Sequence, residues 1–199
     1  GTSHSGINKL PANAGQFSLY RNNPGNPASL GTNAIGAFAE DKRGNIWIAT
    51  WGGGLDRFNP ADGTFTHYHH NPENPNSLSD DLFMDVYVDP YNMVWAGTLG
   101  KGLNSLNPAT GRATHYFHDP ENINSLADDN IAALLPDKNG GLWVGTFGGV
   151  SRFDPNTDSF TNYSNDPANP SSLSSNTVVS LYLDSKNILW IGTWGGGLN

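Results

Sequence analysis

The chain has 199 residues, no cysteine and a formal net charge of −8 from 10 Lys and Arg against 18 Asp and Glu. That length can bury a substantial core, and 36% hydrophobic with 11% aromatic residues excludes a disordered chain. The few basic residues are scattered singly, which excludes a phosphate-neutralising stripe and so nucleic acid as a partner. The missing cysteines exclude disulfides and thiolate chemistry. There is no apolar run of membrane-spanning length and no signal-peptide pattern, so no membrane insertion by this segment is expected.

In chain order, GINKLPANAGQFSLY (6–20) reads as two short strands joined by a Gly-containing turn, followed by the loop NPGNPASL (23–30). IWIATWGGGL (46–55) is a strand ending in a Gly-rich turn, and GLDRFNPADGTFTHY (54–68) repeats the opening hairpin without a gap. The second unit is the clearest. LFMDVYVD (82–89) has strand length and apolar character, PYN is a turn, MVWAGT (93–98) a second strand, GLNSLNP a third, ATGR a hairpin turn and ATHYFH a fourth. The phrases then recur as LWVGTFGGV (142–150) and LWIGTWGGGL (189–198), with loops NPENPNSL (71–78), DPENINSL (119–126) and DPANPSSL (166–173). Proline lacks a donor and holds the preceding residue extended, so these tracts are loops.

Trp47, Trp95, Trp143 and Trp190 fall 48, 48 and 47 residues apart, and Tyr20, Tyr68, Tyr116 and Tyr163 keep the same spacing. A four-stranded antiparallel unit recurring every ~40–50 residues is the mark of a β-propeller blade. The expected fold is an all-β propeller, a single domain of four blades per chain with repeat periods 6–53, 54–101, 102–149 and 150–196. The four tryptophans are expected in the core between blades. The first unit supplies only the third and fourth strands of a blade and the last only the first and second. Closing that cut buries two strand edges. Either the chain closes on itself as a four-bladed ring, or two chains exchange half-blades as an eight-bladed homodimer, or the chain is a fragment of a longer propeller whose edges another assembly hides.

SLSDDLFMDVYVDPYNMVWAGTLGKGLNSLNP (77–108) and its siblings resemble the two-component regulator propeller repeat, with its Ser-Leu, its inner strand ending in Asp, its turn, Trp-Ile-Gly-Thr and Gly-Leu strand. The resemblance spans essentially the whole chain. It implies the extracytoplasmic sensor region of a bacterial hybrid two-component system, periplasmic or extracellular, with polysaccharides or their breakdown products as ligands in many members. The chain departs from the family in having four repeats where members usually carry many more.

Strand parity puts the turns after the second strands on the same face as the Asn/Pro-rich loops. That face collects Trp51, Leu99, Phe147 and Trp194, each directly after the second-strand Thr, as candidate ligand-binding residues. Aromatic groups beside Asn, Asp and Ser suit an oligosaccharide, whose apolar faces stack on rings while its hydroxyls seek hydrogen bonds. The alternative is that these side chains cover neighbouring blades. Asp85 on an inner strand has Ala37, Ala133 and Ser180 at the matching places, and is the remaining candidate, for ligand binding or, paired with loop acids, for glycoside cleavage. No nucleophile elbow, HExxH, Walker loop or Cys nucleophile is present, so no catalytic residue, cofactor or metal is assigned and a non-enzymatic binding module is expected, with an interaction scaffold as the alternative. Asp80, Asp81, Asp128 and Asp129 are read as turn caps, and His67, His69, His70, His115 and His118 as a solvated outer edge.

Overall fold

The computed structural model describes residues 5–11 and 15–199; the turn of the opening hairpin lies outside them. Among the described residues the chain is all β and contains no helix. Its arrangement is that of a β-propeller. Three four-stranded antiparallel blades are complete: β3–β6 (Ile35–Glu40, Ile46–Thr50, Leu55–Asn59, Thr64–Tyr68), β7–β10 (Phe83–Val88, Val94–Thr98, Leu103–Asn107, Arg112–Tyr116) and β11–β14 (Ile131–Pro136, Leu142–Thr146, Gly149–Asp154, Ser159–Tyr163). Before them stands the hairpin β1–β2 (Ile7–Lys9, Ser18–Tyr20), and after them the sheet β15–β17 (Val178–Leu183, Leu189–Thr193, Gly197–Leu198). The hairpin and the last sheet together hold the strands of a fourth blade, but they are separate sheets. Among the described residues no strand pairing joins the two, so closure of the chain on itself, one of the expected alternatives, is not made there and the blades follow one another as an arc.

The blades pack face to face through the tryptophans. Trp47 lies against Val86, Val94, Leu106 and Ala113 of the following blade. Trp95 lies against Leu142, Val144, Phe153 and Phe160, and Trp143 packs on Val150, Leu173 and Ile191. Burial follows position in the arc: Trp47 is 0% exposed, whereas Trp190 is 41% exposed. The expectation of an inter-blade core thus fails at Trp190, because its burial needs a further blade beyond β15–β17.

A second anchor sits at the turn between first and second strands. In three blades the indole N–H donates to the turn aspartate: Trp47 to Asp41 at 3.4 Å, Trp95 to Asp89 at 3.2 Å and Trp190 to Asp184 at 3.2 Å. The same carboxylates accept backbone N–H groups two and four residues on, such as Tyr91 and Met93 on Asp89. In the remaining blade Arg152 pairs with Asp137 instead and lies over the Trp143 ring, 5.6 Å from its centroid.

Every first strand also carries a register shift at the same place, after Ile35, Phe83, Ile131 and Val178. Such a bulge re-aims the side chains that follow it. The residue just past it is Ala37, Asp85, Ala133 or Ser180, so the repeat sets Asp85 at a point where the inner strand turns toward its neighbour.

Candidate ligand face

The strand-parity expectation is met by direct hydrogen bonds. Gly52 and Gly54, in the turn after β4, donate to the Asp81 carbonyl at 3.0 and 2.9 Å, and Gly100 and Gly102 donate likewise to Asp129 at 3.2 and 3.0 Å. The turns after the second strands are thus tied to the loops that lead into the next blade.

Each turn is also stapled from inside. The hydroxyl of Thr50 donates to the Gly54 carbonyl at 2.7 Å and accepts the Gly53 N–H at 3.1 Å. Thr98 does the same with Gly102 and Lys101, and Thr146 with Gly149 and Gly148. Gly54 has φ +71 and its missing Cβ would run into the Tyr68 carbonyl, so only glycine fits there. The third turn is one residue shorter, and its strand β13 starts earlier, at Gly149.

These staples fix the residue that follows each threonine. Trp51 donates its backbone N–H to Ala34 at 3.0 Å, Leu99 to Leu82 at 3.4 Å, Phe147 to Asn130 at 3.1 Å and Trp194 to Thr177 at 2.8 Å. The four side chains stand at one equivalent position per blade and are 39–77% exposed. No ring contact joins any two of them among the described residues, and the five main cavities are lined by none of them. They form a spaced row on a rigid base. Trp51 leans inward: its Nε1 lies 3.1 Å from where a Cβ on Gly36 would stand.

The polar groups beside that row are largely engaged. In the second loop Ser77 Oγ accepts the Asn71 N–H at 2.8 Å and donates to the Asn71 carbonyl at 3.0 Å, while Asn71 and Asn74 side chains accept N–H groups two residues on. The other loops repeat this pattern. Asp81 accepts the His70 N–H and Asp129 the His118 N–H, both at 2.7 Å, while Asp80 and Asp128 cap their own turns. The Asn, Asp and Ser side chains are thus loop architecture first.

Asp85 lies apart from the row. Its two oxygens accept the Val86 N–H at 2.9 Å and, across the blade boundary, the Leu134 N–H at 2.7 Å. Burial raises its pKa, against the lowering by these two bonds. Its carboxylate fastens two inner strands together.

His69, His70 and His118 are exposed as expected, but His67 and His115 are half-buried and most of these rings are held by the fold. His67 Nδ1 is 2.6 Å from the buried Asp56 carboxylate and its Nε2 is 2.8 Å from the Pro27 carbonyl. His115 Nε2 meets the Ser77 carbonyl, and His70 and His118 Nδ1 meet the Leu78 and Leu126 carbonyls, all at 2.7 Å. Strand pairing hid this: His67 stands directly opposite Asp56 across β5 and β6, eleven residues away in sequence. The equivalent Asn162 donates to the Ser125 carbonyl and accepts from Ser151. A third- and a fourth-strand side chain thus grip the loop ahead of each complete blade, a device for which the differing residue types gave no shared motif.

Compared with known proteins, three segments of the chain, 29–52, 125–148 and 172–195, match the sequence model described as two component regulator propeller. None of the curated proteins matches the chain in sequence. Among solved structures, the extracellular domain of a protein described as a hybrid two component system from B. thetaiotaomicron superposes with a TM-score of 0.71 at 24% identity, over 99% of this chain and 30% of that one. The extracellular domain of one described as a one component system from the same organism gives 0.78 at 22%, over 100% and 25%. Virginiamycin B lyase from Staphylococcus aureus gives 0.59 at 18%, over 83% and 54%. These likenesses show the fold. The chain spans a quarter to a third of the length of the two extracellular domains.

Proposed function

Since this chain is built of two-component regulator propeller repeats, we propose that it is the ligand-reading propeller of a bacterial extracytoplasmic sensor, binding a glycan without transforming it. The observation that carries this reading is the row of Trp51, Leu99, Phe147 and Trp194: four exposed apolar side chains on stapled turns, one per blade, on the face that holds the polar loops. An exposed apolar group on an immobile base is costly to solvate and loses little entropy on contact, which suits stacking on a sugar face. The likeness to extracellular domains of signalling proteins supports the location, and with it a setting outside the cytoplasm. Asp85 serves this site by holding two inner strands in place, leaving the turns above them rigid.

The test is a double substitution, Trp51→Ala with Trp194→Ala. Lost oligosaccharide binding with unchanged solution mass supports the reading. Unchanged binding overturns it, and a changed mass with no glycan binding by either form favours an interaction scaffold.

A further inference from the structure

The four turn aspartates cap their turns alike but are not served alike. Asp41 also accepts the Asn45 side-chain amide at 2.9 Å, Asp137 is paired with Arg152, and Asp184 has Lys138 of the preceding blade as an electrostatic partner. Asp89 has Met93 where Asp41 has Asn45, and Met93 has no side-chain donor. Beyond the turn N–H groups, Asp89 receives one bond, from the Trp95 indole at 3.2 Å. Among the described residues it makes no ion pair. A half-buried carboxylate therefore keeps an uncompensated charge and an open lone pair.

That carboxylate lines a cavity of about 210 Å³ between the complete blades β7–β10 and β11–β14. The cavity is bounded by the turns between first and second strands, so it lies on the face opposite the Trp51 row. Its walls are largely rings: Tyr87, Tyr91, Trp95 and Phe153, with Pro90 and Pro155 beside them. The Tyr87 hydroxyl makes no hydrogen bond among the described residues. Burial and the nearby Asp89 carboxylate raise its pKa, so it faces the cavity as a neutral phenol.

Comparison with the preceding junction shows how the repeat opens this space. There Lys42 crosses the blade boundary and donates to the Pro90 carbonyl at 2.5 Å. One repeat on, the residue in the place of Lys42 is Pro90, which has no donor to send across. Met93 of that junction becomes Gly141, with no side chain, and Ala39 becomes Tyr87, whose ring makes a new wall. Lys138 also borders the cavity, but its electrostatic partner is Asp184 of the last sheet.

These features select one ligand chemistry. The volume falls below the ~300 Å³ at which drug-sized pockets begin, so the cavity holds one small group rather than an oligosaccharide. Ring faces attract a cation, and a carboxylate without a counter-ion on the same wall supplies the opposite charge. We propose that this cavity binds a small organic cation, a primary or methylated ammonium group. Asp89 is its counter-ion, the Tyr87 hydroxyl is a second polar contact, and the rings surround its carbon atoms. The site is independent of the glycan-reading row on the other face.

The test is saturation-transfer NMR and calorimetry with choline and with its neutral isostere, the alcohol in which carbon replaces the nitrogen. Choline is expected to bind saturably, and the alcohol more weakly by about tenfold or more. Two variants address the wall and the charge. Tyr87→Ala copies Ala39 of the preceding blade, and Asp89→Asn keeps an acceptor oxygen for the turn N–H groups. Each is expected to weaken choline by about tenfold, with circular dichroism confirming the fold. A third, Pro90→Lys, changes an exposed residue to the one found at Lys42, and sets a competing ammonium at the cavity. It is expected to suppress choline binding even if either of the other two fails to fold. Absence of saturable choline binding overturns the proposal, as does equal binding of the alcohol, or choline binding that the folded variants leave unchanged.

Discussion

His67 Nδ1 lies 2.6 Å from Oδ1 of Asp56, and the ring's other nitrogen faces the Pro27 carbonyl at 2.8 Å. An imidazole can donate on both sides only as its cation. Burial pulls the His67 pKa down, but the Asp56 carboxylate and the Pro27 carbonyl outweigh it and the net shift is upward. Burial likewise raises Asp56, beyond what its bonds from Gly31 and His67 lower. Among the described residues, His69 is the other titratable group brought to the pair, stacked on His67 at 6.0 Å.

The pH consequence has one sign. A raised His67 pKa gives stability that is fully present below the unfolded value of about 6.5 and is lost as pH rises through the folded value. A raised Asp56 pKa also means that the folded state holds more protons, which again favours the lower pH. Thermal unfolding is expected at a lower temperature at pH 8.5 than at pH 6. Asp56→Asn, which copies the Asn104 of the next blade, is expected to flatten that slope. Equal slopes in the two proteins would refute the assignment.

Asp85→Ala removes the acceptor of the Leu134 N–H at a blade boundary, which costs about 1–3 kcal/mol for a buried donor left unpaired. Asp85→Asn keeps an acceptor oxygen and is expected to recover most of this in urea unfolding. If Ala and Asn are equally destabilising, the carboxylate has another role.

Gly97 packs directly on the Ile131 side chain of the next blade, where an added Cβ would fall within 2.6 Å of the Ile131 Cβ. Overpacking of this kind costs about 1–3 kcal/mol. Gly97→Ala is expected to destabilise by that order, and by less in an Ile131→Ala background, which lacks Cγ2, the atom nearest the added Cβ. Strict additivity of the two changes would show that the contact is not the cause.

Removing the Arg152 side chain as Arg152→Ala exposes the Trp143 ring face and leaves the nearly buried Asp137 carboxylate without its ion-pair partner. A loss of about 1–3 kcal/mol is expected, larger than for Arg57→Ala, where Arg57 lies over Trp47 but makes no ion pair among the described residues. Equal losses in urea unfolding would assign the effect to stacking alone.

The blade was legible in the sequence because its determinants are local: the Trp spacing, the turn aspartates and the strand-ending threonines each act within a few residues. The row Trp51, Leu99, Phe147 and Trp194 was legible for the same reason. Two things were not. The His67–Asp56 pair depends on cross-strand register, and its counterparts His115–Asn104 and Asn162–Ser151 solve the same problem with different chemistry. The exposure of Trp190 depends on which blade stands beside it, and the residues around Trp190 are almost those around Trp47. The Asn and Ser residues of the loops looked available for sugar hydroxyls, yet in the fold they bond the loop to itself.

The central claim is that the turn-bearing face binds a glycan, and the most direct measurement is titration of intrinsic Trp fluorescence with an oligosaccharide panel, repeated on Trp51→Ala. Exposed Trp51 and Trp194 report on stacking at the face itself. The account predicts a saturable change with at least one oligosaccharide, strongly reduced in the variant, and a matching rise in unfolding temperature. A flat response across the panel with unmoved melting temperatures would contradict it.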